Sequence, residues 1–393
     1  MARDLGASGR HDVVFITQRT DADLPGVRKI VYKPARAVTS GVHHYLRDTE
    51  AGVLNAQNVA RVALGLKKSG FVPDVMLAHN GWGELWYLKE VFPHSPLIGY
   101  FEFFYRLHGA DVGFEPGPPL IFDVGPRIRT KNLGNLLALD AVDCGQCPTK
   151  WQKSLYPKEY LSKLHIVHEG IDTQLVTPDK SARFKVPHRD LELTPDSEVV
   201  TYVARNLEPY RGFPSFMRSL PAILSRRPQV HVLIVGGDEV SYGPKLPKGK
   251  SFRAQMLEEL GSNIDLARVH FLGKVPYSSF IKILQVSTVH IYLTYPFVLS
   301  WSMLEAMSAG CLVVGSLTPP VEEVIRDSDN GLLVDIHSPG DIAERVSAAL
   351  ADRASFAAIR VNARRTIIDE YDLRSICLPA QLRLLTMAAR GML

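Results

Sequence analysis

The chain has 393 residues, 46% of them hydrophobic and 22% charged, with a formal net charge of +4. That length suits two or three domains of about 150 residues, and the composition excludes disorder, collagen-like repeats and coiled coil. The mild positive charge falls short of a nucleic-acid binder's and suits an anionic substrate or contact with acidic lipid. Of four cysteines only Cys144 and Cys147 lie close together, so there is no disulfide framework and a reducing compartment fits. Met1-Ala2-Arg3-Asp4-Leu5-Gly6 has no apolar stretch after a basic one, and no apolar run approaches the ~20 residues of a membrane span. The expectation is a cytoplasmic protein, at most peripheral at the inner face of the membrane.

Short apolar runs alternate with helical patterns. The first half predicts strands at Val13–Thr17, Lys29–Tyr32, Val75–Ala78, Leu97–Tyr100 and Leu164–Val167, with a helix over Asn55–Lys68. The second half predicts strands at Val199–Ala204, His231–Val235, Val269–Leu272, Val289–Leu293, Leu312–Gly315 and Gly331–Val334. Helices are predicted at Phe213–Ser225, Tyr277–Gln285, Trp301–Ala309 and Pro339–Ala351. Such alternation argues βα units around parallel sheets. The stretch from Gly170 to Pro195, rich in Pro, Asp and Lys, reads as a linker. The expected fold is α/β, with two doubly wound Rossmann-like domains facing across a cleft. Their bounds are 1–180 and 181–372, and a helix over 373–393 packs back towards the N-terminal domain. Its apolar residues Leu378, Leu382, Leu384, Leu385 and Met387 read as a packing face before a membrane contact.

Three segments carry chemistry. The run from Thr294 to Gly310 ends a strand and begins a helix near Ser300. Ser300 or Ser302 can cap that helix, whose free amides offer a place for a diphosphate; Leu299 and Trp301 flank them. Glu305, about one turn in, either accepts two hydrogen bonds from a ribose diol or serves the helix dipole. Second, Arg205 follows a strand directly and Arg211 follows a Pro-Tyr turn, a clamp for phosphates. Third, Gly236-Gly237-Asp238 follows a buried strand, where glycine lets a ligand approach the backbone.

Together these resemble the retaining glycosyltransferases of family 4, which have the GT-B fold. Leu304-Glu305-Ala306-Met307-Ser308-Ala309-Gly310 matches the family's acidic helix, and Arg205…Arg211-Gly212 its Arg…Lys-Gly clamp, with Arg for Lys. Glu169-Gly170-Ile171-Asp172 and Asn330-Gly331-Leu332 match its domain junction and a late loop. The resemblance implies a nucleotide sugar, with UDP or GDP as carrier, held by the C-terminal domain without a metal or other cofactor. Glu305 would bind the ribose, and Gly237, Asp238, Leu299, Ser300, Trp301 and Ser302 would line the donor. Arg205 and Arg211 would stabilise the departing diphosphate. The acceptor would be a carbohydrate or lipid-linked molecule, a polysaccharide, glycolipid or small molecule; nucleic acid is not expected.

Three departures stand out. The family's first acidic residue, eight positions before the second, is Phe297 here. Its usual N-terminal His is replaced by Glu102, either a base or charge stabiliser or a carboxylate capping a strand end. The chain opens as the tail of a helix leading into what would be the second strand, so the N-terminal domain reads as lacking its first strand and helix. His79 and Glu84, after a strand, are acceptor-side candidates; His43-His44-Tyr45 reads as a solvated loop. Asp21-Ala22-Asp23 and Asp327-Ser328-Asp329 carry an Asp-x-Asp spacing that reads as loop chemistry rather than a metal site, and Cys144-Gly145-Gln146-Cys147 lacks the context of a redox or zinc motif. Two rivals stay open: a nucleotide-sugar-binding protein without turnover, and a sugar-nucleotide epimerase.

Overall fold

The computed structural model describes residues 1–392. The chain divides into two compact units. Unit 1 comprises Met1–Glu169 and the segment that begins at Cys377; unit 2 is Gly170–Ile376.

Unit 1 opens with the helix Ala2–Ala7, followed by β1 (Val13–Thr17) and β2 (Val27–Val31). These two strands form a separate parallel ribbon. The long helix Arg47–Lys68 leads to a four-stranded parallel sheet of β3 (Met76–His79), β4 (Leu97–Tyr100), β5 (Cys144–Cys147) and β6 (Leu164–Ile166), in that order. β5 was not foreseen. Its sequence, Cys-Gly-Gln-Cys, has no β-branched residue, yet all four residues are buried. Tertiary position overrides propensity here. The helix Leu378–Ala389 closes the unit: Leu384 and Ala388 are buried with Ile98 and Cys144 in one apolar cluster.

Unit 2 is more regular. Its small antiparallel pair is β7 (Phe184–Lys185) with β8 (Glu192–Leu193). The main strands are β9 (Val199–Asn206), β10 (His231–Gly237), β11 (Val269–Gly273), β12 (Val289–Tyr292), β13 (Leu312–Ser316) and β14 (Leu332–Val334). The sheet runs β11-β10-β9-β12-β13-β14 and every pairing is parallel. Strand order therefore reverses between β9 and β12, and ligands in such sheets bind at the carboxyl ends beside that reversal. The stretch read as a linker is packed instead. Ile171 and Val176 join Met303, Leu304 and Met307 in one core cluster, and Phe184, Val186 and Leu193 join Val199 and Leu233 in another. Isolated apolar residues among Pro, Asp and Lys give no periodic signal, which is why composition alone concealed this.

Candidate functional site

β9 and β12 end side by side at the reversal of strand order in unit 2. Arg205 stands near the end of β9, exposed, with no ion-pair partner among the described residues. A short turn, Pro209–Arg211, then delivers the chain to Gly212, which begins the helix Phe213–Arg226. Gly212 has φ of 64°, and a Cβ there would lie 2.4 Å from Leu293 Cβ, so this entry requires glycine.

That turn buries Arg211, which is 7% exposed. Its Nη1 donates to Tyr292 Oη at 3.1 Å, Thr294 Oγ1 at 2.8 Å and the Val298 carbonyl at 3.0 Å. Its guanidinium carbon lies 5.2 Å from the Tyr242 ring centroid. Among the described residues no carboxylate pairs with it. Desolvation pulls its pKa down, but the phenols of Tyr292 and Tyr242 outweigh that, so the cation persists. A buried charge met only by neutral oxygens and a ring face is under-compensated, a condition that a bound anion relieves.

The surrounding loop is held by Glu208, which is fully buried. Its carboxylate accepts the backbone N–H groups of Ser241, Tyr242 and Gly243, each at 3.0 Å. This clamp keeps Tyr242 against Arg211. Phe297 packs edge-on to Tyr210 at 5.5 Å and lies 5.0 Å from Tyr242, so the position expected to carry an acid belongs to an aromatic cluster beside the cation.

Ser300 caps the helix Trp301–Ser308: its Oγ accepts the Ser302 N–H at 3.3 Å and lies 2.9 Å from the Ser302 hydroxyl. Ser300 N–H donates to Tyr292 Oη at 2.7 Å, so one phenol joins the helix start to Arg211. Trp301 is half exposed, whereas the Leu299 side chain is buried in the core. Glu305 is partly buried, and burial raises its pKa against the opposing hydrogen bond from Tyr277. Tyr277 Oη donates to Glu305 Oε1 at 2.7 Å. At Gly237 a Cβ would sit 2.6 Å from Asn206 Oδ1 and 2.7 Å from Lys274 Cε, so a side chain there would have to push those two side chains aside; Asp238 pairs with Arg253 at 2.7 Å. The structure therefore ties Arg211 to the Thr294–Ser302 segment, while Asp238 has an ion partner of its own.

Unit 1 gathers a different set at the carboxyl ends of its strands. His79 ends β3 and Tyr100 ends β4, in register, with rings 5.1 Å apart. His79 Nε2 lies 3.9 Å from Glu102 Oε2, and its Nδ1 accepts the Gly81 N–H at 2.9 Å. Burial, then the Glu169 carboxylate to which it hydrogen-bonds, pushes the Tyr100 phenol far up. His168 Nε2 lies 4.0 Å from Glu169, and burial lowers that imidazole to about 4. Glu84 is held by Tyr32, whose hydroxyl donates to Glu84 Oε1 at 2.9 Å. His79 and Glu102 thus come together. Tyr100, Tyr242, Glu208 and Tyr277 were missed, because each acts through a partner in a different segment; Glu169 stood in the domain-junction motif, but its bond to Tyr100 was not foreseen.

The weaker motifs resolve into structure. Cys144 and Cys147 sit three positions apart on one strand, which points them to opposite faces. Burial raises both thiols, to about 11 and about 12, so they are unreactive. Asp21 pairs with Arg19, Asp329 with Arg326, and Asp327 lies 3.6 Å from Arg345 while accepting the Leu333 N–H. Among the described residues no three His, Cys, Asp or Glu side chains converge as a metal site.

Comparison with known proteins follows the same division. The family described as Glycosyl transferase family 4 group matches residues 9–176, and that described as Glycosyl transferases group 1 matches residues 186–366. The chain is 26% identical over 192 residues to D-inositol 3-phosphate glycosyltransferase of Corynebacterium glutamicum, spanning 48% of this chain and 44% of that protein. It is 28% identical over 193 residues to the enzyme of that name from Acidothermus cellulolyticus, with 48% and 40% covered. The matched part is thus less than half the length of these curated relatives. Among solved structures, sucrose-phosphate synthase from Thermosynechococcus elongatus aligns at TM-score 0.68 and 18% identity over 98% of this chain and 92% of that one. Anabaena HepE in complex with UDP-glucose aligns at TM-score 0.62 and 14% identity over 92% and 86%. The fold is GT-B, with a Rossmann-like sheet in each unit. Two family matches that together take in most of the chain, on a fold of this kind, place it among the group 1 glycosyltransferases of family 4.

Proposed function

We propose that the chain transfers a sugar from a nucleoside-diphosphate sugar to a hydroxyl-bearing acceptor, with retention of configuration and without a metal. The observation that carries this reading is Arg211: a buried guanidinium with no carboxylate partner among the described residues, beside the capped helix Trp301–Ser308. A diphosphate would complete its charge balance, and Arg205 supplies a second cation at the same strand end. In this reading Glu305, oriented by Tyr277, accepts the ribose hydroxyls. The two guanidinium groups hold the diphosphate and take up negative charge as the sugar–phosphate bond breaks, which is the work a metal does in other transferases. The departing phosphate oxygen receives the acceptor's proton on the donor's own face. His79 and Glu102 of unit 1 face the acceptor. HepE, whose structures hold UDP-glucose or UDP with glucose, supports the donor class, and the D-inositol 3-phosphate glycosyltransferases support a small polyol among the acceptor classes.

Titration calorimetry with UDP, GDP, ADP and their sugar conjugates, with and without EDTA, tests the reading. Tight binding of one diphosphate that survives EDTA is expected; binding of none overturns it. A second reading, donor binding without turnover, is favoured by one observation: Phe297 stands in a closed aromatic cluster where the family carries an acid. Sugar release or transfer measured with the bound donor separates the two, and formation of an epimer without acceptor would identify a sugar-nucleotide epimerase.

A further inference from the structure

The carboxyl end of β3 turns through Asn80, Gly81, Trp82 and Gly83, closed by a hydrogen bond from the Gly83 N–H to the Asn80 carbonyl at 3.0 Å. Trp82 stands at a corner of that turn, 65% exposed, and the chemistry above does not use it. A single exposed apolar residue is ordinary. What is not ordinary is how firmly the backbone beneath it is held. The Asn80 N–H donates to the Tyr100 carbonyl at 3.0 Å. The buried Asn80 side chain donates to Asn135 Oδ1 at 2.6 Å and accepts the Trp86 indole N–H at 3.3 Å. The Gly81 N–H is held by His79 Nδ1, and the Trp82 carbonyl accepts Asn55 Nδ2 at 2.8 Å. Gly83 has φ of 86°, and a Cβ there would lie 2.5 Å from the Gly52 carbonyl oxygen, so the turn lies directly against the helix Arg47–Lys68.

The loop that carries Glu102 is fixed to the same support. Asn135, on the helix Leu133–Ala141, takes the Asn80 amide on its oxygen and donates its own amide to the Phe103 carbonyl at 3.1 Å. The Glu102 carbonyl accepts Gln152 Nε2 at 2.6 Å. One buried asparagine therefore sets the Trp82 turn and the Glu102 loop relative to each other. On this fixed backbone the indole of Trp82, the imidazole of His79 and the carboxylate of Glu102 all reach solvent, the last two 3.9 Å apart.

We propose that this surface binds the acceptor as a saccharide ring, stacked by one apolar face on the Trp82 indole, with hydroxyls on its rim bonded to Glu102 and His79. The inference rests on the sugar-transfer reading above and names the class of its acceptor. A pyranose ring is apolar on its faces, where C–H groups project, and polar around its edge. It therefore matches an aromatic plane flanked by a carboxylate and an imidazole. A lipid chain would cover the indole and leave those two polar groups unmet, and a phosphate would meet the Glu102 carboxylate with like charge. Tryptophan has two side-chain torsions and its turn is already locked, so little ordering cost offsets the contact.

The test is saturation-transfer NMR on the full chain with the methyl glycosides of glucose, galactose, mannose and N-acetylglucosamine, with and without UDP or GDP. A contact of this size gives a dissociation constant near the millimolar range, so the glycosides are taken to about 50 mM. At least one should bind, and saturation should fall mainly on the axial protons of one ring face. Trp82→Ala should weaken binding about tenfold or more, and Trp82→Phe, which keeps an aromatic plane, should recover part of it. Thermal melts and nucleotide affinity should match the parent in both variants, since Trp82 is exposed and the proposed nucleotide site lies in unit 2. No glycoside binding by the parent, with or without nucleotide, overturns the proposal. So does equal binding by Trp82→Ala, or saturation spread evenly over both ring faces. Nucleotide bound without any glycoside strikes this inference alone, whereas glycoside bound through Trp82 without any nucleotide strikes the transfer reading and keeps the saccharide site.

Discussion

The carboxyl ends of the two sheets carry opposite charge. In unit 2 the strand ends beside the reversal of order offer Arg205 and the buried Arg211, with Glu208 turned onto backbone amides and Asp238 onto Arg253. In unit 1 the equivalent ends gather Glu102 and Glu169 around His79, Tyr100 and His168. A cationic end suits a diphosphate, and an acidic end suits hydroxyl groups that donate hydrogen bonds to it. The same βα architecture can therefore hold both partners of a group transfer. What differs is which side chains the loops place there, not the sheets.

The largest expected effect tests the cationic end. Arg211→Ala should weaken nucleoside-diphosphate binding about a thousandfold, since two or three charge-assisted hydrogen bonds at ~1.5–3 kcal/mol each are lost. Arg211→Lys should recover part of it by keeping the charge. Calorimetry with a free diphosphate reads both, and affinity unchanged in Arg211→Ala would break the comparison at its cationic side. The acidic side is tested by Glu102→Gln. Turnover should fall by about a hundredfold or more with donor affinity unchanged, the pattern of a group acting in proton transfer or on transition-state charge. A loss of donor affinity instead would remove the contrast between the units.

Within unit 2, Glu305→Ala should cost about 1.5–3 kcal/mol of nucleotide affinity. The loss should vanish for nucleotides that lack the ribose hydroxyls, which distinguishes a contact with the sugar from a role in helix stability. Equal loss for both nucleotides would leave Glu305 serving the helix alone.

Each unit also holds a histidine kept neutral by burial, and this gives the comparison a pH axis. His168 in unit 1 is lowered to about 4 and His290 in unit 2 to about 3. The unfolded chain protonates both near 6.5, so between that value and the folded value the unfolded state binds more protons. Stability is therefore retained at neutral pH and falls as pH drops below about 6.5, by ~1.4 kcal/mol per unit for each histidine. Urea unfolding at pH 7 and pH 5 should show this, and His168→Gln should reduce the slope by one proton. A slope unchanged in that variant would mean that His168 is not held neutral.

How much of this was legible in the sequence differs between the units for the same physical reason. In unit 2, β9 to β14 are short, mostly apolar and largely buried runs, and each was placed within a few residues. Arg205, Arg211, Ser300 and Glu305 lie within contiguous motifs, whereas the Arg211 contacts to Thr294 and Val298 join two such motifs and were not foreseen. In unit 1 the strand Cys144–Cys147 hid behind a composition that mimics a redox motif, and the Tyr100–Glu169 bond joins residues whose only connection is the sheet between them. The Gly170–Pro195 stretch was misread because its core residues are isolated. Contacts between distant segments leave no local pattern, and the supporting residues Tyr277, Tyr242 and Glu208 are of that kind.

Tyr277 gives the smallest effect and the finest test. Its hydroxyl donates to Glu305 at 2.7 Å from the first residue of the helix Tyr277–Gln285, while the ring is half exposed. Removing the hydroxyl leaves the ring in place and frees the carboxylate to rotate, so Tyr277→Phe should weaken nucleotide affinity by about 1 kcal/mol, roughly fivefold. If the phenol acts by orienting Glu305, the loss should disappear when Glu305 is already Ala, giving a coupling energy close to the single effect. If instead the two losses add, Tyr277 meets the nucleotide on its own, and the donor end of unit 2 has one more contact than the sequence motif contains.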